Sequence, residues 1–182
     1  MKKFILLLGL LLTSLFSISA QNKKPPIEER AINADVIFEG KIIHQESFWD
    51  NQRTGIFTES TIEVSKMFKG ITVNTIKLIT QGGAVDDYFQ TISHSIDLNV
   101  NSEGIFFCKE YNVERIKENK FLMFDGSTGF VEYFFDGQEY PAADKYFTYS
   151  NLNREVYEPI TSVLRKDFTK IKQNTFEGNV GK

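Results

Sequence analysis

Reactive side chains are scarce in this sequence. Its 182 residues include two histidines and one cysteine, namely His44, His94 and Cys108. A hydrolytic site needs a nucleophile with its base, a pair of carboxylates or a bound metal. The chain contains no GxSxG, no HExxH and no Cys/His set at ligand spacing. His44 and His94 fall in different predicted elements. Cys108 closes the apolar run Ile105-Phe106-Phe107-Cys108, which is the setting of a buried, inert thiol and not of a reactive one. Asp86-Asp87 supplies hard oxygen ligands of the kind Ca²⁺ takes. The alternating acids, glycine and distal Glu of a calcium loop are missing around it, so a solvated loop face accounts for the pair. The expectation is no catalytic group, no metal and no cofactor.

Two aromatic pairs remain. Phe48-Trp49 lies in the polar stretch 47–55, and Tyr88-Phe89 closes the loop that begins with Gly82-Gly83. Large rings in loops either fold back to cap a core or stay outside to touch a partner, because a rigid ring loses little entropy at an interface. Both roles fit Phe48 and Trp49. Phe48, Trp49, Tyr88 and Phe89 are therefore the candidate ligand-binding residues, for a protein or glycan ligand.

The elements that must position these residues are mostly strands. Residues 34–80 organise the chain. Val36, Phe38, Gly40 and Ile42 alternate with Ile37, Glu39, Lys41 and Ile43, the two-residue period of a strand. Gly40 inside that run marks a bulge or close backbone approach. Residues 56–68 resume the alternation, with Ser60, Ile62 and Val64 on one face and Glu59, Thr61, Glu63 and Ser65 on the other. Lys69-Gly70 turns the chain into a third run at 75–80, with Ile76 and Leu78 inward. Residues 104–109, 121–124 and 130–135 read as further strands, and Asp125-Gly126 and Asp136-Gly137 as turns. Near the end the period becomes helical: Leu152, Val156, Ile160, Val163 and Leu164 form one stripe. Ser150 or Asn151 can cap that helix, and Pro159 should kink or restart it. Residues 27–33 can form a short helix.

The N-terminus sets the compartment. Lys2 and Lys3 precede the apolar run 4–12, and small residues up to Ala20 offer a cleavage site. The run is shorter than the about 20 residues a membrane span needs, so a secretory signal peptide is expected. With its two lysines removed, 19 basic side chains face 24 acidic ones, a balance of −5. That charge argues against nucleic acid and anionic lipid as partners, and no second apolar segment is long enough to span a membrane. A lone cysteine allows no intramolecular disulfide, so the core must carry the stability. The expected organisation is signal peptide 1–20, leader and short helix 21–33, β-barrel-like domain with its C-terminal helix 34–165, and flexible tail 166–182. The mature chain is expected to be secreted, periplasmic or cell-surface.

The segments ADVIFEGKIIHQESFWD, TIEVSKMFKG, IKLITQGG and EGIFFCK, with GSTGFVEYFF and YSNLNREVYEPIT after them, resemble the N-terminal β-domain of secreted bacterial surface proteins. Many of those are type IX secretion cargo. The resemblance covers about residues 28–162. At fold level the same order is similar to netrin-like modules such as the tissue inhibitors of metalloproteinases. The resemblance implies a mainly β fold, a small OB-like antiparallel barrel with a C-terminal helix packed on it. It also implies a non-catalytic binding or accessory role, or alternatively modulation of a secreted protease. Those inhibitors grip zinc through an N-terminal, disulfide-bonded Cys. A mature chain starting near Gln21 has none, so their inhibitory residues do not carry over. Proteins of the secreted group continue into further modules, and none follows here before Lys182. A stand-alone module, a severed N-terminal domain and a periplasmic protein are the open expectations.

Overall fold

Alternating β-branched and aromatic residues draw out two long strands, β1 (Val36–Trp49) and β2 (Ile56–Lys69). They pair antiparallel from Ile37↔Lys69 to Trp49↔Ile56. A computed structural model provides this description, which covers residues 25–93, 96, 98–111, 120–123, 128–134 and 142–172. The signal segment, His94 and the two Asp-Gly turns lie outside those residues. β3 (Thr75–Gln81) pairs β2 antiparallel. β4 (Gly83–Val85) and β5 (Tyr88–Gln90) form a separate hairpin. β6 (Glu103–Tyr111) lies along the first half of β1, and β7 (Lys120–Met123) joins β6 to β3. β8 (Phe130–Tyr133), β9 (Ala142–Ala143) and β10 (Thr148–Tyr149) continue the sheet outward from β6.

The molecule is mainly β, with a C-terminal helix packed on an antiparallel sheet. Its pairings run from β1 through β2, β3, β7 and β6 and return to β1. The contact between β3 and β7 consists of two parallel pairs, Leu78↔Phe121 and Ile79↔Leu122. Residues Gly104 to Phe106 of β6 give their second edge to β8 instead. The result is a sheet folded over its own core and extended by β8 to β10, not the simple closed barrel expected.

Two apolar clusters flank this sheet. Val36, Phe38, Ile42, Ile62, Val64, Leu78, Phe106 and Phe130 fill the inside of the fold, with the rings of Phe38 and Phe106 stacked 5.0 Å apart. Ile37, Phe68, Ile105, Phe107 and Val131 face the other way, under the helices. A strand buried on both faces loses its alternation, which is why β6 reads as a continuous apolar run. Cys108 is wholly buried in the inner cluster, as expected, and burial holds its thiol above the usual range.

The sheet bends where two glycines meet. Gly40 of β1 stands opposite Gly104 of β6, and the β1–β2 register shifts between Glu39 and Gly40. A Cβ at Gly40 would lie 2.5 Å from the Glu63 carbonyl oxygen, and one at Gly104 only 2.0 Å from that of Val131. Neither backbone can retreat without breaking a ladder. Gly104→Ala is therefore expected to cost about 1–3 kcal/mol by overpacking, read as a lower urea midpoint. An unchanged midpoint would mean that the strands do not approach this closely.

The helical parts follow the sequence pattern with one change. α1 (Ile27–Asn33) buries Ile27, Arg30 and Ala31. At the C-terminus a π-type turn, Asn153–Tyr157, opens into α2 (Glu158–Leu164). Pro159 sits in the first turn of α2, where its missing N–H does no harm. The Asn151 side chain accepts the Arg154 N–H at 3.0 Å while the Glu155 carboxylate accepts that of Asn151 at 2.7 Å, a reciprocal cap. Leu152, Val156 and Ile160 are buried against the sheet. Beyond α2 the described residues of the expected tail lie against the sheet. β11 (Thr169–Lys170) pairs Met67 and Lys66 of β2, and Phe168 packs 5.2 Å from Phe68.

Candidate functional site

The polar stretch 47–55 is shorter as a loop than its composition implies. β1 runs on through Phe48 and Trp49, which pair with Phe57 and Ile56, leaving a turn at 50–55. Asp50 holds that turn. Its carboxylate accepts the Thr54 N–H at 2.7 Å, the Thr54 hydroxyl at 2.8 Å and the Gln52 N–H at 3.2 Å. Loss of hydration would raise the Asp50 carboxyl, but these bonds outweigh it and hold the group below the usual carboxylate range.

The loop of Gly82 to Phe89 is likewise structured, as the β4–β5 hairpin with Asp86-Asp87 at its turn. Gly82 and Gly83 take φ of 97° and 133°, which reverses the chain at the end of β3 and lays the hairpin against β1 and β2. A Cβ at Gly83 would fall 2.4 Å from both the Ser47 and Thr58 hydroxyls. Those two hydroxyls bond each other at 2.9 Å, and Thr58 donates to the Gly82 carbonyl at 2.8 Å. The Gln90 side-chain oxygen accepts the Ile56 N–H at 2.6 Å. Gln45 donates to Ser60 and to the Leu98 carbonyl, each at 3.0 Å, tying down the segment before β6.

Between hairpin, β1–β2 and that segment lies a groove with a cavity of about 220 Å³. Its polar lining includes Gln45, Thr80, Gln81, Gln90 and Asn99, and its apolar lining includes Phe89, Ile92 and Leu98. Three of the four expected ligand-binding residues gather at this end. Tyr88 meets Trp49 edge to face at 5.4 Å. Tyr88 is 63% exposed and Phe89 76% exposed, and Phe89 borders the groove. Phe48 stands apart. Alternation along β1 turns it to the opposite face from Trp49, where it stacks on Phe57 at 6.2 Å. His44 is an exposed β1 residue away from the lining. The lining amides carry no motif and were invisible to a search for motifs.

A second constellation was also missed, and its charged pair is wholly buried. Glu39 of β1 and Lys66 of β2 are both 0% exposed, with Lys66 Nζ 3.2 Å from Glu39 Oε1. Ser65 donates to Oε1 at 2.9 Å and the Tyr133 phenol to Oε2 at 2.6 Å. The Tyr157 phenol, from the π-type turn, donates to Oε2 as well, and Lys66 donates to Tyr157 at 3.0 Å. The Lys66 ammonium lies 4.6 Å over the Tyr157 ring. Burial first, then the Glu39 charge, pushes the Tyr133 phenol well above its usual range, so it stays a donor. Ser65, Lys66, Tyr133 and Tyr157 each donate a hydrogen bond to one carboxylate. Such an arrangement fastens the C-terminal helix to the sheet, and none of its residues lines the groove.

Among the described residues no group of three or more His, Cys, Asp and Glu side chains is placed to hold a metal ion, and no helix is long and apolar enough to cross a membrane. The chain matches no known family model and no curated protein.

Proposed function

We propose that this chain is an exported, non-catalytic binding module that takes its ligand in the groove between the β1–β2 hairpin and the β4–β5 hairpin. One observation carries the reading. Trp49 of β1 and Tyr88 of β5 meet edge to face beside a preformed concavity that the next residue, Phe89, lines, and the Tyr88 and Phe89 rings are left largely exposed. Rings held out of the core by a rigid scaffold are common anchors of recognition. The groove is preorganised, because Gly83 packs flush on Ser47 and Thr58 and Gln45 pins the far wall, so little ordering is left to oppose binding. The likeness of several segments to N-terminal domains of secreted surface proteins supports an accessory role outside the cytoplasm.

Capture of partners from the culture medium and cell-envelope fraction tests this. Wild-type protein should retain a partner that Trp49→Ala/Tyr88→Ala loses by roughly tenfold, the factor that about 1.4 kcal/mol of ring contact gives. Both proteins should melt within a few degrees of each other. Equal capture by the two would refute the groove as the site.

A further inference from the structure

We infer that the ligand of this groove is a neutral saccharide, with one sugar ring seated in the cavity. The inference rests on the binding reading above and adds the chemical class.

Charge comes first. A quarter of the chain's residues are charged, yet every described residue lining the groove is neutral. A charged ligand would lose water there and meet no opposite charge among them, an unfavourable exchange. The polar lining is of a particular kind. Gln45, Gln81, Gln90 and Asn99 carry amides and Thr58, Thr80 and Thr91 hydroxyls, groups that together both donate and accept. A sugar hydroxyl also does both, so a ring edge finds partners whichever way its protons turn. Two of the amides are already oriented: the Gln90 oxygen is taken by the Ile56 N–H, which leaves its NH₂ end to donate. The Gln45 NH₂ is taken by Ser60 and the Leu98 carbonyl, which leaves its oxygen to accept.

The apolar element fits the same ligand. Phe89 lines the groove and is 76% exposed, and the C–H face of a sugar ring packs against the electron-rich face of an aromatic ring. Size agrees. About 220 Å³ is less than the roughly 300–1,000 Å³ typical of drug-sized ligands, so the site takes one ring and leaves the rest of a chain outside. An extended peptide would instead be read along a strand edge by main-chain bonds, whereas here the polar groups are side chains set around a concavity.

The test is an amide-detected NMR titration of the purified chain with neutral tetrasaccharides of glucose, mannose, xylose and N-acetylglucosamine, with tetragalacturonate, and with an uncharged Ser/Thr-rich hexapeptide. A neutral tetrasaccharide should shift the side-chain amide signals of Gln45, Gln81 and Gln90. Phe89→Ala should weaken that binding by roughly tenfold, Phe89→Trp should keep it, and both variants should retain the wild-type melting temperature. If only the acidic sugar or the peptide moves these signals, the groove binds a ligand and the saccharide inference falls. If every shift lies elsewhere, both the inference and the groove as binding site are overturned. If no neutral sugar binds at all, the inference is overturned.

Discussion

Lys66→Met is expected to lower the unfolding free energy by about 3–5 kcal/mol, the range for breaking a buried ion pair by removing one partner. For a chain of this size that is on the order of 10 °C in melting temperature. Lys66 and Glu39 are both fully buried and in contact, so the substitution leaves a carboxylate without its countercharge in a site closed to water. The three hydroxyls of Ser65, Tyr133 and Tyr157 still bond it, but dipoles compensate a charge only in part. The physical content of the claim lies in the double variant. Lys66→Met/Glu39→Gln removes both charges and keeps the acceptor oxygen for the phenols, so it should recover most of the loss. Urea unfolding of the wild type, the single and the double variant forms the measurement. A single substitution costing under about 1 kcal/mol, as exposed pairs do, would show that water reaches this pair.

Asp144→Ala is expected to do comparable damage, again about 3–5 kcal/mol, at the other end of the outer core. Arg30 of α1 is 0% exposed, and its Nη1 lies 2.7 Å from Asp144 Oδ2. Main-chain carbonyls also hold the guanidinium, Nε by Pro25 at 2.9 Å and Nη1 by Thr128 at 3.1 Å. Its Nη2 is buried and has no hydrogen-bond partner among the described residues. Asp144 also accepts the N–H groups of Tyr146 and Phe147 and the Tyr149 phenol at 2.7 Å. Burial and this bond push the Tyr149 phenol above its usual range, against the opposing influence of Arg30. Removing the carboxylate thus strands a cation and undoes the turn that carries β10. Asp144→Asn keeps the shape and one acceptor oxygen, and should cost distinctly less. Equal losses for Ala and Asn would assign the effect to charge alone, and no loss for either would contradict the burial of Arg30.

The two constellations explain why part of this fold was legible and part was not. Glu39 sits in a strand whose sequence alternates, and alternation assigns it to the polar face. That face is covered by Tyr133, Tyr157 and the helix behind them, so it is a second core. Lys66 follows Ser65 in an apolar run, with nothing local to mark it as an ion-pair partner. Arg30 lies in a seven-residue helix where an arginine normally faces water, and its partner is more than a hundred residues away. The groove is an intermediate case. Trp49, Tyr88 and Phe89 stood out because large rings in polar stretches are unusual, whereas Gln45, Gln81 and Asn99 are ordinary surface residues until the hairpin folds over them.

The sequence by itself determined what depends on neighbours along the chain. The two-residue period set β1, β2 and β3, Gly82-Gly83 set the end of β3, and the stripe Leu152-Val156-Ile160 with Pro159 set the restarted C-terminal helix. These follow from backbone sterics and binary pattern, which act over a few residues. Tertiary structure alone decided which polar groups were buried, that β6 shares its second edge between β7 and β8, that Phe48 and Trp49 part to opposite faces, and that a neutral concavity forms under the aromatic rim. Each of those outcomes depends on which distant strand or helix arrives at a given face, because burial and charge pairing are properties of surfaces brought together.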